Sequence, residues 1–538
     1  MAIRMVDDDN EQQGGYNEQN DNRDFNVNPG GGGSGGSILL QFLPLLFGLF
    51  RSKKGIILLV ILGLGYFLVT KSGVCNNSNP ISNFGTRNTG ADLKEDEFKK
   101  ANVYSGLADD QHGTALPENV SLLKYVPKVQ NQGKQGSCVA WSAAYYARSI
   151  VEAVRQGKSG NEFSFSPSYL YNQIKLGNDC QGSYILRAME SMTKNGAVPL
   201  SSFPYDENTC SQTIPSSLLQ NGAQYRINGF SRLTEDANPK RLSVQAVKEH
   251  LAKDAPVVIG MMVGQSFMQN MMGQKYFKPA SSDKSMSGFG GHAMCVIGYN
   301  DREFNGLGGF QIQNSWGQEW GENGVGWVSY PDFKFFVREA YGIEPLPKMG
   351  AAANIALSIQ IGLYLKDTKS YIALQSKGGN VFTSVNKVAD GTKFKIEFKN
   401  NDACYTYLLG FEANGTANVL FPTPDSSNKS KSTFSPYCGV TGYRVFPKGA
   451  NLVPMDGGIK DVFTIIVSKN PINAFALKDA LNRNKTTDYT ERINAALAAF
   501  GGASTGAQYA NGTLAGTMQM GAAAGSNGVL ASIIEINK

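Results

Sequence analysis

Residues 1–37 show no apolar periodicity. The stretch is polar and glycine-rich and carries Asp7, Asp8, Asp9, Glu11, Glu18, Asp21 and Asp24. Such a sequence buries too little apolar surface to offset chain entropy, so it is expected to be disordered. Two apolar blocks follow, Ile38 to Phe50 (interrupted by Gln41 and Pro44) and Gly55 to Thr70, with Arg51, Lys53 and Lys54 between them. The second block is uncharged and slightly short of the roughly 20 residues that span a bilayer, but Lys54 and Lys71 can snorkel. It predicts a single transmembrane helix within residues 38–73, with the first block as an amphipathic interfacial segment. Residues 74–114 return to a polar texture and read as a linker.

Beyond the linker, regular patterns begin. Val139, Ala143, Tyr146, Ile150 and Val154 share one helical face, and Ser137 sits where an N-cap belongs. Ala293 to Tyr299 is an apolar run of strand length, and Gly309 to Asn314 reads as a second strand. From about Pro347 the chain turns mostly β: Phe394, Ile396 and Phe398 alternate, and Ile355 to Ile361 and Val462 to Val467 are strand-like. Asn414-Gly415, between Tyr405–Phe411 and Asn418–Phe421, signals a hairpin. The Gly/Ala/Met-rich stretch Gly501 to Gly528 reads as a flexible insertion before a last strand, Leu530 to Ile536.

With 538 residues, 41% hydrophobic and 17% charged, the chain can build two domains plus extra segments. The net charge of +6 is modest, and no basic stripe or nucleic-acid motif is present, so nucleic acid is excluded as a partner. The positive flank at Arg51, Lys53 and Lys54 predicts a single-pass topology, with the N-terminus cytoplasmic and the following domains periplasmic or extracellular. The long polar region before the apolar blocks does not suit a cleavable signal peptide.

Chemistry concentrates in three places: Asn131-Gln-Gly-Lys-Gln-Gly-Ser-Cys138, Gly-Gly-His292, and Asn314-Ser-Trp-Gly-Gln-Glu-Trp-Gly-Glu-Asn-Gly324. They supply a thiol, an imidazole, a carboxamide to orient that imidazole and a second carboxamide for an oxyanion. That is the equipment for acyl transfer through a thioester. Cys138 falls in the first turn of its helix, where the dipole and unpaired N–H groups should lower the thiol pKa. His292 and Asn314 end neighbouring strands. The other two histidines, His112 in a polar loop and His250 in an amphipathic stretch, carry no such context.

These motifs resemble the papain-like cysteine proteases, of a bacterial, membrane-anchored type. The resemblance implies an α+β, two-lobed catalytic domain over residues 115–346, helical from Cys138 to Lys194 and β-rich from Pro256 to Ile343. It makes Cys138 the nucleophile, His292 the base, Asn314 its orienting partner, Gln132 an oxyanion donor and Trp316 a cover for the His–Asn pair. It implies a peptide or protein substrate, no cofactor and no metal. Asp179-Cys-Gln-Gly-Ser183 is similar to the family's substrate-pairing strand, with Gly182 and Ser183 as substrate-binding positions, although Ser183 replaces a glycine and puts close backbone approach in doubt. Gln135 and Val139 stand where the family has a cysteine and a tryptophan. Cys180 thereby loses its usual mate, and Cys180–Cys210 is the expected disulfide. Cys404–Cys438 is a second candidate pair flanking a β region, and both suit an oxidising compartment. Cys295, within an apolar strand, reads as inert core. Residues 74–114 are too short for the long helical prosegment of papain-like zymogens, so the expectation is an enzyme that either lacks a built-in inhibitor or is restrained by its membrane attachment. Residues 347–538 resemble an uncharacterised β-sandwich domain that follows bacterial peptidase domains. A non-catalytic or transpeptidase scaffold in a cell-envelope complex is the alternative to an endopeptidase.

Overall fold

The computed structural model describes residues 3–7, 89–108, 116–349, 356–454, 458–484 and 486–538. No helix among them is long and apolar enough to cross a membrane. The expected spanning stretch 55–70 and the interfacial block 38–50 lie outside the described residues, as does His112.

The first domain packs helices against a seven-stranded sheet. Its strands run in the order Phe230–Arg232, Val337–Ile343, Val257–Val263, Gly290–Asn300, Gly309–Gln313 and Val325–Ser329, with Asn119–Ser121 on the far end of Gly290–Asn300. The central strand Gly290–Asn300 is buried on both faces from His292 to Tyr299, as its unbroken apolar run requires. Against it lies a long helix of three stretches: Cys138–Ala140, wider π-type turns over Trp141–Arg148, and Ser149–Gln156, closed by Gly157 in the left-handed conformation. The apolar face read from the sequence is buried throughout, at Val139, Ala143, Tyr146, Ile150 and Val154.

The second domain is a β-sandwich with a helical layer. One sheet orders Gly442–Phe446, Lys395–Asn400, Leu357–Leu365, Met518–Ala522 and Gln508–Asn511. The other orders Leu374–Gly378, Val381–Ser384, Val529–Asn537, Lys460–Ser468, Cys404–Phe411 and Ala417–Phe421. Ile359, Ile361, Phe398, Phe463, Ile465, Leu530 and Ile534 interlock between the sheets. The second sheet is covered on its other face too, because Ala474–Arg483 and Tyr489–Leu497 lay Leu477, Leu481, Ile493 and Leu497 over it. Those helices carry Asn473 and Asp488 as side-chain N-caps, a signal the sequence reading passed over. The Asn414-Gly415 hairpin forms, with Gly415 at φ 79°.

Three expectations need correction. The Gly/Ala/Met-rich stretch is not merely an insertion. It contributes the strands Gln508–Asn511 and Met518–Ala522, whose Met518 and Met520 fill the sandwich core. Residues 1–37 are not disordered throughout, because Ile3–Asp7 pairs antiparallel with Ala450–Pro454 and buries Ile3. The Cys404–Cys438 disulfide is absent: both are free, buried thiols opposite one another in register on antiparallel strands. The Cys404 thiol and the buried Arg444 guanidinium lower the Cys438 pKa against the opposing effect of burial.

Candidate active site

The loop 130–137 and the strand ends at His292 and Asn314 converge on Cys138. Gln132 N–H donates to Ser315 O at 2.9 Å, which fastens the loop to the segment after Asn314. The Ser315 hydroxyl donates to Gln132 Oε1 at 2.7 Å, and Gln132 Nε2 donates to Gln135 O at 3.0 Å. The carboxamide is thereby fixed in one orientation, its oxygen on Ser315 and its NH2 on Gln135 O. His292 Nε2 lies 2.7 Å from Asn314 Oδ1, so that nitrogen carries the proton and donates it, leaving Nδ1 as the nitrogen for the thiol. Trp316 stacks on the imidazole, with ring centroids 4.1 Å apart and an interplanar angle of 21°. The Ala293 N–H points at Cys138 Sγ from 3.4 Å, which sets the thiol beside the residue that follows His292. All four polar groups, at Cys138, His292, Asn314 and Gln132, are fully buried.

Several supporting side chains escaped the sequence reading. Ser137 occupies the N-cap position but makes no capping bond. Its hydroxyl instead meets Tyr205 Oη at 2.8 Å, and Tyr205 Oη also donates to Gln132 O at 2.7 Å. Gln135, standing where the papain-like pattern has cysteine, donates from Nε2 to Thr209 O at 2.9 Å and to Asp206 O at 3.3 Å. Cys210, one residue beyond Thr209, bridges to Cys180 with S–S 2.06 Å and Cα–Cα 5.7 Å. An amide bridge and a displaced disulfide therefore do the tethering that one disulfide would have done.

The linker supplies the largest surprise. Residues 89–93, Thr-Gly-Ala-Asp-Leu, form a strap across this site. Asp92 N–H donates to Ser183 O at 3.1 Å and Ser183 N–H to Gly90 O at 2.9 Å, a parallel pairing around Ala91. Ala91 N–H donates to Gly291 O at 3.1 Å, next to His292. Ser183 turns its hydroxyl away to Ile174 O at 2.9 Å, so its replacement of glycine leaves the backbone free to pair. A side chain on Gly90 would come within 2.2 Å of Gly136 O, so only glycine fits there. Leu93 packs over Gly260 and Gly291, close to Glu339. Burial pushes the Glu339 carboxyl up to about 8, and Tyr341 Oη donates to it at 3.0 Å.

The expected thiol activation is reversed in this closed form. Burial pushes Cys138 up to about 12, against the opposing pull of the N–H groups of Ala293 and Val139. A helix start favours a thiolate only where the sulfur retains some solvation or a partner charge, and here burial wins. Cys295 is likewise a buried free thiol whose pKa is raised by burial, as inert core should be.

The Gln132 geometry gives a prediction. Gln132→Ala removes one carboxamide donor and should lower the turnover rate by roughly 10²–10³ with little change in KM. Steady-state kinetics on a peptide substrate would check it, and an unchanged rate would remove Gln132 from the oxyanion site.

Fold and site together define a cysteine peptidase domain, an α+β unit with thiol, imidazole and carboxamide in one cleft. Residues 116–334 match the model of the papain family cysteine proteases, and this part of the chain is a papain-family cysteine protease domain. Among curated relatives, an uncharacterized peptidase C1-like protein of Acanthamoeba polyphaga mimivirus is 27% identical over 235 residues, 42% of this chain and 69% of its own length. Human cathepsin L2 is 28% identical over 218 residues, 39% of this chain and 59% of its own. Caricain of Carica papaya is 28% identical over 248 residues, 43% and 64%. The chain thus spans about six tenths of the curated relatives it matches. Among solved structures, xylellain, a cysteine protease from Xylella fastidiosa, aligns with TM-score 0.38 at 22% identity, covering 49% of this chain and 99% of that one. Bromelain protease of Ananas comosus, in complex with the E64 inhibitor, aligns with TM-score 0.32 at 21% identity, covering 43% and 100%.

Proposed function

We propose that the protein is a papain-like cysteine endopeptidase that hydrolyses peptide bonds in a peptide or protein substrate and is latent in the strapped form. The observation that carries this reading is the His292–Asn314 pair under Trp316, set beside Cys138. In the open enzyme His292 Nδ1 takes the Cys138 proton, and the thiolate attacks the scissile carbonyl. The oxyanion is held by Gln132 Nε2 and the Cys138 N–H. His292 then gives its proton to the leaving amine, and water, activated by the same imidazole, hydrolyses the thioester. Asn314 keeps the proton on Nε2 and steadies the imidazolium. The test is a mass-spectrometric screen of a peptide library with protein whose strap has been displaced. Cleavage that disappears in Cys138→Ala supports hydrolysis. Joining of peptides would indicate a transpeptidase, and no turnover at all would favour the non-catalytic scaffold, which the closed cleft also suits.

The apolar stretch 38–70 supports membrane attachment, and the pairing of Ile3–Asp7 with Ala450–Pro454 supports both ends of that stretch facing one compartment. Tags placed at the N-terminus and after Lys538 should therefore respond alike to external protease in intact cells. Opposite responses would restore a single crossing and exclude the paired strand in the membrane-bound protein.

A further inference from the structure

Past Leu93 the strap continues through the short helix Glu95–Phe98, whose Phe98 packs edge-on against Tyr341 with centroids 5.1 Å apart. Residues 102–108 then run between the two domains. On the peptidase side, Arg232 N–H donates to Asn102 O at 2.7 Å and Tyr104 N–H to Arg232 O at 2.9 Å, and the Leu107 N–H meets the Glu249 carboxylate at 3.2 Å. On the β-sandwich side, Val103 N–H donates to Thr433 O at 2.8 Å, Ser435 N–H to Val103 O at 2.8 Å, and Ala108 N–H to Tyr443 O at 2.9 Å. The Asn102 side chain reaches Ser432 Oγ at 3.2 Å. The fully buried Arg444, braced by Asn400 Oδ1 at 2.8 Å, donates to Ser105 O and Tyr104 Oη, both at 3.3 Å. Val103 to Leu107 are all buried.

We propose that the C-terminal β-sandwich is the latch of the strap: its segments 432–435 and 442–446 grip residues 102–108 and so keep residues 89–93 in the cleft. This rests on the reading above that the strap closes a peptidase site. The physical reason is effective concentration. Fixing the chain at 102–108, a short helix away from the cleft, means that residues 89–93 rebind faster than a free substrate can compete. With the grip loosened, the same five residues must hold by their own few hydrogen bonds. The second domain then regulates the cleft without contributing a residue to it.

The grip can be weakened without touching the catalytic residues. Val103→Pro with Ala108→Pro deletes the two N–H donors aimed at Thr433 O and Tyr443 O and leaves the bonds between Arg232 and the backbone of Asn102 and Tyr104 in place. In the full-length protein the double variant should raise the rate of Cys138 labelling by an epoxide probe about tenfold, and should speed hydrogen exchange at Ala91 and Asp92, ten or more residues away. Ala91→Pro, which breaks the strap itself, is the reference. If Ala91→Pro opens the site and the double variant changes neither labelling nor exchange, the latch is wrong and the peptidase reading stands. Unaltered labelling with Ala91→Pro would instead sink strap closure, and the latch with it. Should the double variant fail to fold, Asn102→Ala with Ser432→Ala removes only side-chain contacts of the same grip and must show the same direction of change.

Discussion

Once the strap is displaced, His292→Ala should reduce peptide hydrolysis by about 10⁴-fold or more, with the chain still folded and still able to bind substrate. In the proposed mechanism the imidazole has two duties: taking the Cys138 proton and delivering one to the leaving amine. Among the described residues no other histidine can assume them, since His250, with ring centroids 4.4 Å from Tyr104, is committed to the domain seam, where burial presses its pKa down to about 4. Asn314→Ala should cost less than His292→Ala. It removes the 2.7 Å acceptor that fixes the tautomer but leaves a base in place beneath Trp316. Steady-state kinetics across the two variants read this order directly. A larger loss at Asn314 than at His292 would mean that His292 is not the base.

Ala91→Pro should increase activity, about tenfold to a hundredfold, which is an unusual outcome for a substitution at a 6% exposed residue. Proline removes the N–H that Gly291 O accepts and disfavours the extended pairing with Ser183 on which the strap depends. Opening the cleft also resolvates the sulfur. In the closed form burial holds the Cys138 thiol well above its ordinary pKa, so it stays protonated at neutral pH. The sign of the pH dependence follows from burial as its cause. Thiol alkylation of the closed protein should climb steadily with pH through the alkaline range, whereas the Ala91→Pro variant should alkylate at neutral pH with a flatter profile. Coincident profiles would show that the strap does not set the ionisation of Cys138.

How much of this the sequence disclosed depended on how local each signal was. The nucleophile loop, the His and the Asn-Ser-Trp segment are short motifs in which residue identity carries the chemistry, and the structure brings Gln132, Cys138, His292, Asn314 and Trp316 into one cleft. The helix face from Val139 to Val154 and the strand from Ala293 were legible because burial imposes the periodicity. Thr89 to Leu93 was not, because a strap that binds through its backbone needs only small residues and a glycine, which look like any polar tether. The same holds for Met518 and Met520, core residues hidden in a glycine-rich run. The Cys180–Cys210 bridge was foreshadowed by the missing cysteine at Gln135, but nothing local announced that Gln135 itself would span to Thr209 O. Cys404 and Cys438 were rightly brought together and wrongly joined: they face one another in register as free, buried thiols, because proximity alone does not decide oxidation.

The account stands or falls on which sulfur reacts, and when. Full-length protein and its Ala91→Pro variant would be treated with an epoxide affinity probe at neutral pH and mapped by peptide mass spectrometry. The adduct should appear on Cys138 alone, slowly in the native chain and much faster in the variant, and should vanish with His292→Ala. Labelling at Cys295, Cys404 or Cys438, or equal rates with and without the strap, would contradict it.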